Sequence, residues 1–275
     1  MPYPRAHLYV PLVMAVTIAG FWESYFSTFG EGPWQFHAHG IAASIWIILV
    51  ATQSWTAHRK QFVWHAAAGK ASLLLFPFLI GGLAAIIDLT AKGYVAGDGA
   101  TRALLGGSFL LGLLLAIAAY VLLYYRALKY RRKVWLHSGY MLATPLILWE
   151  SPFSRLLIGF VPGLGIEGPA DFPNIILSIV LAMATALAFC LIVRWRVGER
   201  GLPFLVAAVF IAAQMVAMGL LGDLAIVRSS LGFLGNVPSV VVVAAGFAAG
   251  ALTSWAGWKA GRRPAARETS ATQPA

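Results

Sequence analysis

Two histidines set the chemical question. His65 follows Arg59-Lys60 and Trp64, and His137 follows Arg132-Lys133 and Trp135, each at the opening of an apolar stretch. Neutral imidazoles on two helices at one membrane depth are the pair that a six-coordinate b haem takes, one nitrogen on each side of the iron. Arg or Lys then holds the propionates. His65 and His137 are therefore candidate axial ligands, and Arg59, Lys60, Arg132 and Lys133 are candidate propionate partners. The same residues suit lipid phosphate, which basic interfacial segments also bind. His58 and Lys70 belong to this layer, and His137, Tyr140, Met141 and Thr144 share one helix face.

A second set stands at the opposite ends of the stretches. His39, Trp46 and Gln53 recur every seven residues, drifting only about 20° per step, and so mark one face of a helix. A glutamine in hydrocarbon needs a partner, which turns this stripe toward neighbouring helices. His39 is either a ligand or proton-relay group, or it hydrogen-bonds a carboxylate such as Glu23; with Gln53 it can line a second cofactor site. His37 lies about 200° round the helix from His39. His37, His39, Glu23, Asp88 and Glu150 together form a mixed nitrogen and oxygen set able to bind a divalent metal such as Zn, Fe or Mn. The same carboxylates can pass protons instead.

Other chemistries lack their motifs. No H-E-x-x-H or E-x-x-H pair occurs, and the single cysteine, Cys190, permits neither an internal disulfide nor a thiolate metal centre. Gly163, Gly165 and Gly168 spell G-x-G-x-x-G, but between two apolar stretches and without a preceding strand they are no nucleotide site.

The elements that must position these residues are helices in a membrane. Of 275 residues, 60% are apolar and 11% charged, with a mean hydropathy of +0.78. That leaves too little polar surface for a water-facing shell, and stretches near twenty residues match a hydrocarbon core about 30 Å thick. The sequence predicts an all-α polytopic bundle of about eight spans: Leu8–Phe26, Gln35–Trp55, Ala66–Ile87, Ala103–Tyr124, Val134–Phe153, Asn174–Ile192, Leu202–Leu221 and Val237–Trp258. The first is read as a retained helix rather than a cleaved leader. Pro77 and Pro145 are expected to kink their helices, and Gly246 and Gly250 to allow close backbone approach, within the molecule or at a dimer seam. Residues 1–258 form the bundle; 259–275 read as a basic, disordered cytoplasmic tail.

Charge sets the orientation. The net charge of +10 does not imply nucleic acid as a partner, because basic residues collect in cytoplasmic loops. With both termini cytoplasmic, inner segments hold 16 of the 20 Lys and Arg, leaving Lys92, Arg102, Arg155 and Arg228 outside. Eight of ten carboxylates fall outside, all but Glu199 and Glu268. The expected setting is a bacterial inner membrane, with the lipid bilayer as first partner.

The order His39, Trp46, Gln53, His65-Ala-Ala-Ala-Gly69, then His137-x-x-x-Met141-Leu-Ala-Thr144 and Arg155, resembles bacterial membrane proteins of the DUF2306 type. Those show a similar His, Gln, His-Arg-x-x-Gly and later His-x-x-x-Met order; Ala66 stands here where the family often has Arg. The resemblance covers the second to fifth spans. It implies no activity, only that His39, His65 and His137 form a recurring set. Three functions stay open: b-haem electron transfer with a quinone or membrane partner, a proton-coupled permease, and a non-catalytic assembly factor.

Overall fold

The computed structural model describes residue 3 and residues 6–262, and those residues contain no strand. Ten α-helices follow in order: α1 (Ala6–Gly20), α2 (Trp34–His58), α3 (Phe62–Val95), α4 (Ala100–Lys129), α5 (Val134–Ile147), α6 (Glu150–Phe160), α7 (Pro173–Val197), α8 (Leu202–Val216), α9 (Ala225–Gly235) and α10 (Ser239–Ala260). Proline marks several starts, with Pro33 before α2, Pro173 opening α7 and Pro238 before α10. Gly198 ends α7 in the left-handed region, at φ 61°.

Five stretches are long and apolar enough to cross a membrane: Trp34–His58, Phe62–Val95, Ala100–Lys129, Pro169–Leu221 and Ser239–Ala260. The fourth has 53 residues and folds back on itself as the packed pair α7 and α8. Exposure separates the faces. On α2, Trp46, Ile47 and Val50 are buried, whereas Ile41, Ile45 and Ile48 are exposed. An apolar surface of that kind is what lipid contact requires.

Three expected helices differ from those found. The first expected span breaks after Gly20 and ends in a single π turn, Trp22–Phe26. The third is longer: α3 has 34 residues, about 51 Å at 1.5 Å per residue, and runs unbroken through Pro77. The fifth divides, because α5 ends at Ile147 and α6 begins at Glu150. Pro145 has no N–H for the Met141 carbonyl, and the Thr144 hydroxyl donates to that carbonyl at 2.8 Å instead. Helix α9 was not expected; its Val227 and Leu231 are buried with Ile87, Ala91 and Leu110 of α3 and α4. At the C-terminal end α10 reaches Ala260, so Lys259 is helical, and residues 263–275 of the expected tail lie outside the described residues.

The core is aromatic at its centre. Trp46, Phe76, Tyr120 and Tyr124 are fully buried, with Phe76 and Tyr124 stacked at 4.2 Å. Each polar atom there has a partner, as burial in hydrocarbon demands. Trp46 Nε1 donates to Thr144 Oγ1 at 2.9 Å, Tyr120 donates to the Thr144 carbonyl at 2.9 Å, and Tyr124 shares a hydrogen bond with Ser72 at 2.8 Å. Gly246 and Gly250 serve packing inside the molecule. A Cβ at Gly250 would stand 2.6 Å from Pro77 Cα, so α3 occupies that face of α10.

Candidate cofactor site between two histidines

Helices α2, α3, α4 and α5 meet at the end of the bundle that carries the basic turns. There the imidazoles of His65 and His137 stand 6.3 Å apart, centre to centre, with their planes at 81°. Each is held by a backbone carbonyl of a neighbouring helix: His65 Nδ1 lies 3.1 Å from the Gln53 oxygen and His137 Nδ1 lies 2.9 Å from the Ala127 oxygen. A carbonyl only accepts, so Nδ1 carries a hydrogen in both rings, and in the neutral imidazole Nε2 keeps its lone pair. This is how a protein prepares imidazole for a metal, because the second bond fixes both the tautomer and the ring orientation.

Both rings line a cavity of about 290 Å³. Gln53, Met141 and Ser138 also line it, and Gln53 Oε1 is buried with no hydrogen-bond partner. Room for the Gln53 amide depends on Gly69, where a Cβ would fall 3.0 Å from Nε2. The cations at the cavity are Lys70 and Arg131. Arg131 is tied to the Leu128 and Trp258 carbonyls at 3.1 and 2.9 Å and lies over the Trp258 ring at 4.3 Å. Arg59 and Arg132 are exposed, with Arg59 stacked over Trp55 at 4.5 Å, and neither lines the cavity. His58 completes the wall, stacked against His7 at 4.7 Å.

A larger groove of about 550 Å³ adjoins this cavity along α1, α5 and α7, lined by Val10, Val13, Leu146, Phe189 and Ile192, with Arg196 among its lining. Tyr3 and Leu142 line both spaces. Burial pushes the Tyr3 phenol up to about 12, against the opposing pull of Arg200, and its hydroxyl donates to the Arg200 carbonyl at 2.7 Å.

The opposite end does not gather its acids. Asp88 is fully buried, paired with Lys92 Nζ at 3.1 Å and receiving Gln35 Nε2 at 3.4 Å. Glu150 accepts from Ser154 at 3.5 Å, Glu23 is exposed, and His37 Nδ1 is engaged by the Tyr25 hydroxyl at 3.0 Å. His39 hydrogen-bonds neither Glu23 nor any other described residue. Among the described residues no three His, Cys, Asp or Glu stand close enough to hold a metal ion. The His37, His39, Glu23, Asp88 and Glu150 set thus forms no single cluster among the described residues.

Sequence reasoning picked out His58, His65, Lys70 and His137 but not Arg131, Tyr3 or Trp258. Arg131 adjoins the Arg132-Lys133 pair, and only the turn after α4 decides which of the three cations bends inward. Compared with protein-family models, curated proteins and solved structures, the chain matches none.

Proposed function

We propose that the chain is a membrane electron carrier that holds a b haem between His65 and His137 and exchanges electrons with a quinone. The observation that carries this reading is the pair of carbonyl-held imidazoles with free Nε2 atoms. His65 and His137, with ring centres 6.3 Å apart, would hold the iron through their Nε2 atoms. The buried, unpartnered Gln53 Oε1 is a further sign that the cavity takes a guest. Lys70 and Arg131, both lining the cavity of about 290 Å³, would hold the propionates of a bound haem.

A bound haem supplies one-electron chemistry. The chain's own residues do the rest: Gln53 and Ala127 orient the ligands, Lys70 and Arg131 balance the propionates, and Trp46, Phe76 and Tyr124 close the inner side against water. The apolar groove gives a quinone tail a place beside the same wall, at Tyr3 and Leu142. With this reading go eight crossings, α5 and α6 together making one, both termini in the cytoplasm of a bacterium and the basic turns facing inward.

Absorption spectra test it. Protein purified after expression with haem supply is expected to show a Soret band and, on reduction, a sharp α-band. Both should be lost in His65→Ala and in His137→Ala. A wild-type preparation that folds but has no Soret band ends the proposal.

The permease reading draws on one observation, the unpartnered His39 at the other end. The assembly-factor reading rests on the basic loops, since α3 packs against the Gly246 and Gly250 side of α10.

A further inference from the structure

A second cavity, of about 130 Å³, lies between α1, the Trp22–Phe26 turn, α2 and α6 at the end remote from the histidine pair. Its lining divides into two parts. Arg155, His39, Ser44, Ser24 and Ser151 supply donors, while Ala43, Ile47, Leu148 and Pro152 are apolar. His39 Nδ1 is buried and has no hydrogen-bond partner among the described residues. A buried ring nitrogen left in that state calls for an outside partner.

Arg155 is exposed, yet its guanidinium is held in place. Its Nη1 donates to the Ser151 carbonyl and hydroxyl at 2.8 and 2.9 Å, and the guanidinium lies over the Phe21 ring at 4.5 Å. The remaining N–H groups of the fork have no partner among the described residues. No carboxylate lines the cavity, and none of the described residues forms an ion pair with Arg155. Glu150, on the same helix, accepts from Ser154 at 3.5 Å and attracts the Arg155 charge without forming an ion pair with it. A preorganised guanidinium with free donors is the usual counterpart of a carboxylate, which it meets with two parallel hydrogen bonds.

Size and polarity narrow the guest. The cavity has less than half the volume of the histidine cavity, which favours a small guest. Its apolar half is wasted on an inorganic anion. We propose that this cavity binds a short-chain monocarboxylate, with the carboxylate on Arg155 and His39 and the alkyl end against Ala43, Ile47 and Leu148. The site is independent of the haem reading and stands or falls separately.

The test is calorimetric titration of the full chain in lipid nanodiscs with sodium propionate, with sodium sulfate and 1-propanol as controls. Propionate is expected to bind saturably at one site, and neither control should bind. Arg155→Gln should weaken binding about tenfold or more, and His65→Ala should leave it unchanged. Because Arg155→Gln can also disturb folding, Ala43→Leu provides a second arm: by filling the alkyl end it should favour acetate over butyrate relative to wild type. In protein with labelled histidine, the His39 nitrogen resonances should shift on adding propionate. Absence of saturable propionate binding to the wild type, equal binding by a folded Arg155→Gln variant, or tighter binding of sulfate than propionate would overturn the assignment.

Discussion

Thr144 bonds on three sides at once: its hydroxyl donates to Met141 and accepts from Trp46, and its carbonyl accepts from Tyr120. Valine has nearly the same shape but no hydroxyl, so Thr144→Val leaves the Trp46 indole N–H and the Met141 carbonyl without partners in a buried place. A destabilisation of about 1–3 kcal/mol is expected, measurable as a lower midpoint in thermal unfolding followed by tryptophan fluorescence. Thr144→Ser keeps the hydroxyl and should remain close to wild type. At this scale the sequence said a good deal about chemistry and little about partners. The i, i+3, i+4, i+7 spacing put Thr144 and Met141 on the face of His137. It did not say that a carbonyl of α4 would hold that histidine, because backbone groups look alike in a sequence. Carbonyl support also makes a prediction for the ligand pair: His65→Gln and His137→Gln keep a polar side chain but offer no imidazole nitrogen, so they should fail to restore the haem spectrum, whereas added imidazole should restore part of it in the alanine variants.

Between helices, glycine decides the spacing. Gly250→Leu would force side-chain atoms into the Phe76 and Pro77 backbone, where even a Cβ at 2.6 Å is too close, and α10 must move from α3. The expected result is loss of the folded protein from detergent extracts, read by size-exclusion chromatography. Gly232→Ala on α9 meets nothing within 4 Å and should be neutral or stabilise by up to about 1 kcal/mol. The long uniform stretches were readable from hydropathy because each carries its own signal, as α2, α4 and α10 do. The elements that escaped are short. Helix α9 has eleven residues, with Arg228, Ser229 and Ser230 in its middle, and only the contact of Val227 and Leu231 with α3 and α4 makes it a helix. The break between α5 and α6 falls at Leu148 and Trp149, where Pro152 has no N–H for the Leu148 carbonyl, while the helix continues past Pro145. The composite site is therefore partly a product of docking: the two histidines are periodic features of α3 and α5, but their 6.3 Å approach is a property of the packed bundle.

For the molecule as a whole, the arrangement of charge predicts sidedness that can be measured directly. Cys190 is fully buried, so the wild-type chain should react little with membrane-impermeant maleimides. Arg132→Cys and Asp223→Cys, both exposed in the fold, should label from opposite sides of intact vesicles, the first from the cytoplasmic side. Labelling of both from one side would exclude the proposed course of the chain. A last consequence comes from the length of α3. About 51 Å of helix in about 30 Å of hydrocarbon leaves some four turns uncovered when upright and about two at a tilt of about 40°. Asp88 and Lys92 sit in the last turns of that helix, and α9 packs against the same portion. On the proposed crossings, the part of α3 beyond Ile87 stands outside the hydrocarbon with α9 packed beside it, and the buried Asp88 is covered there by protein.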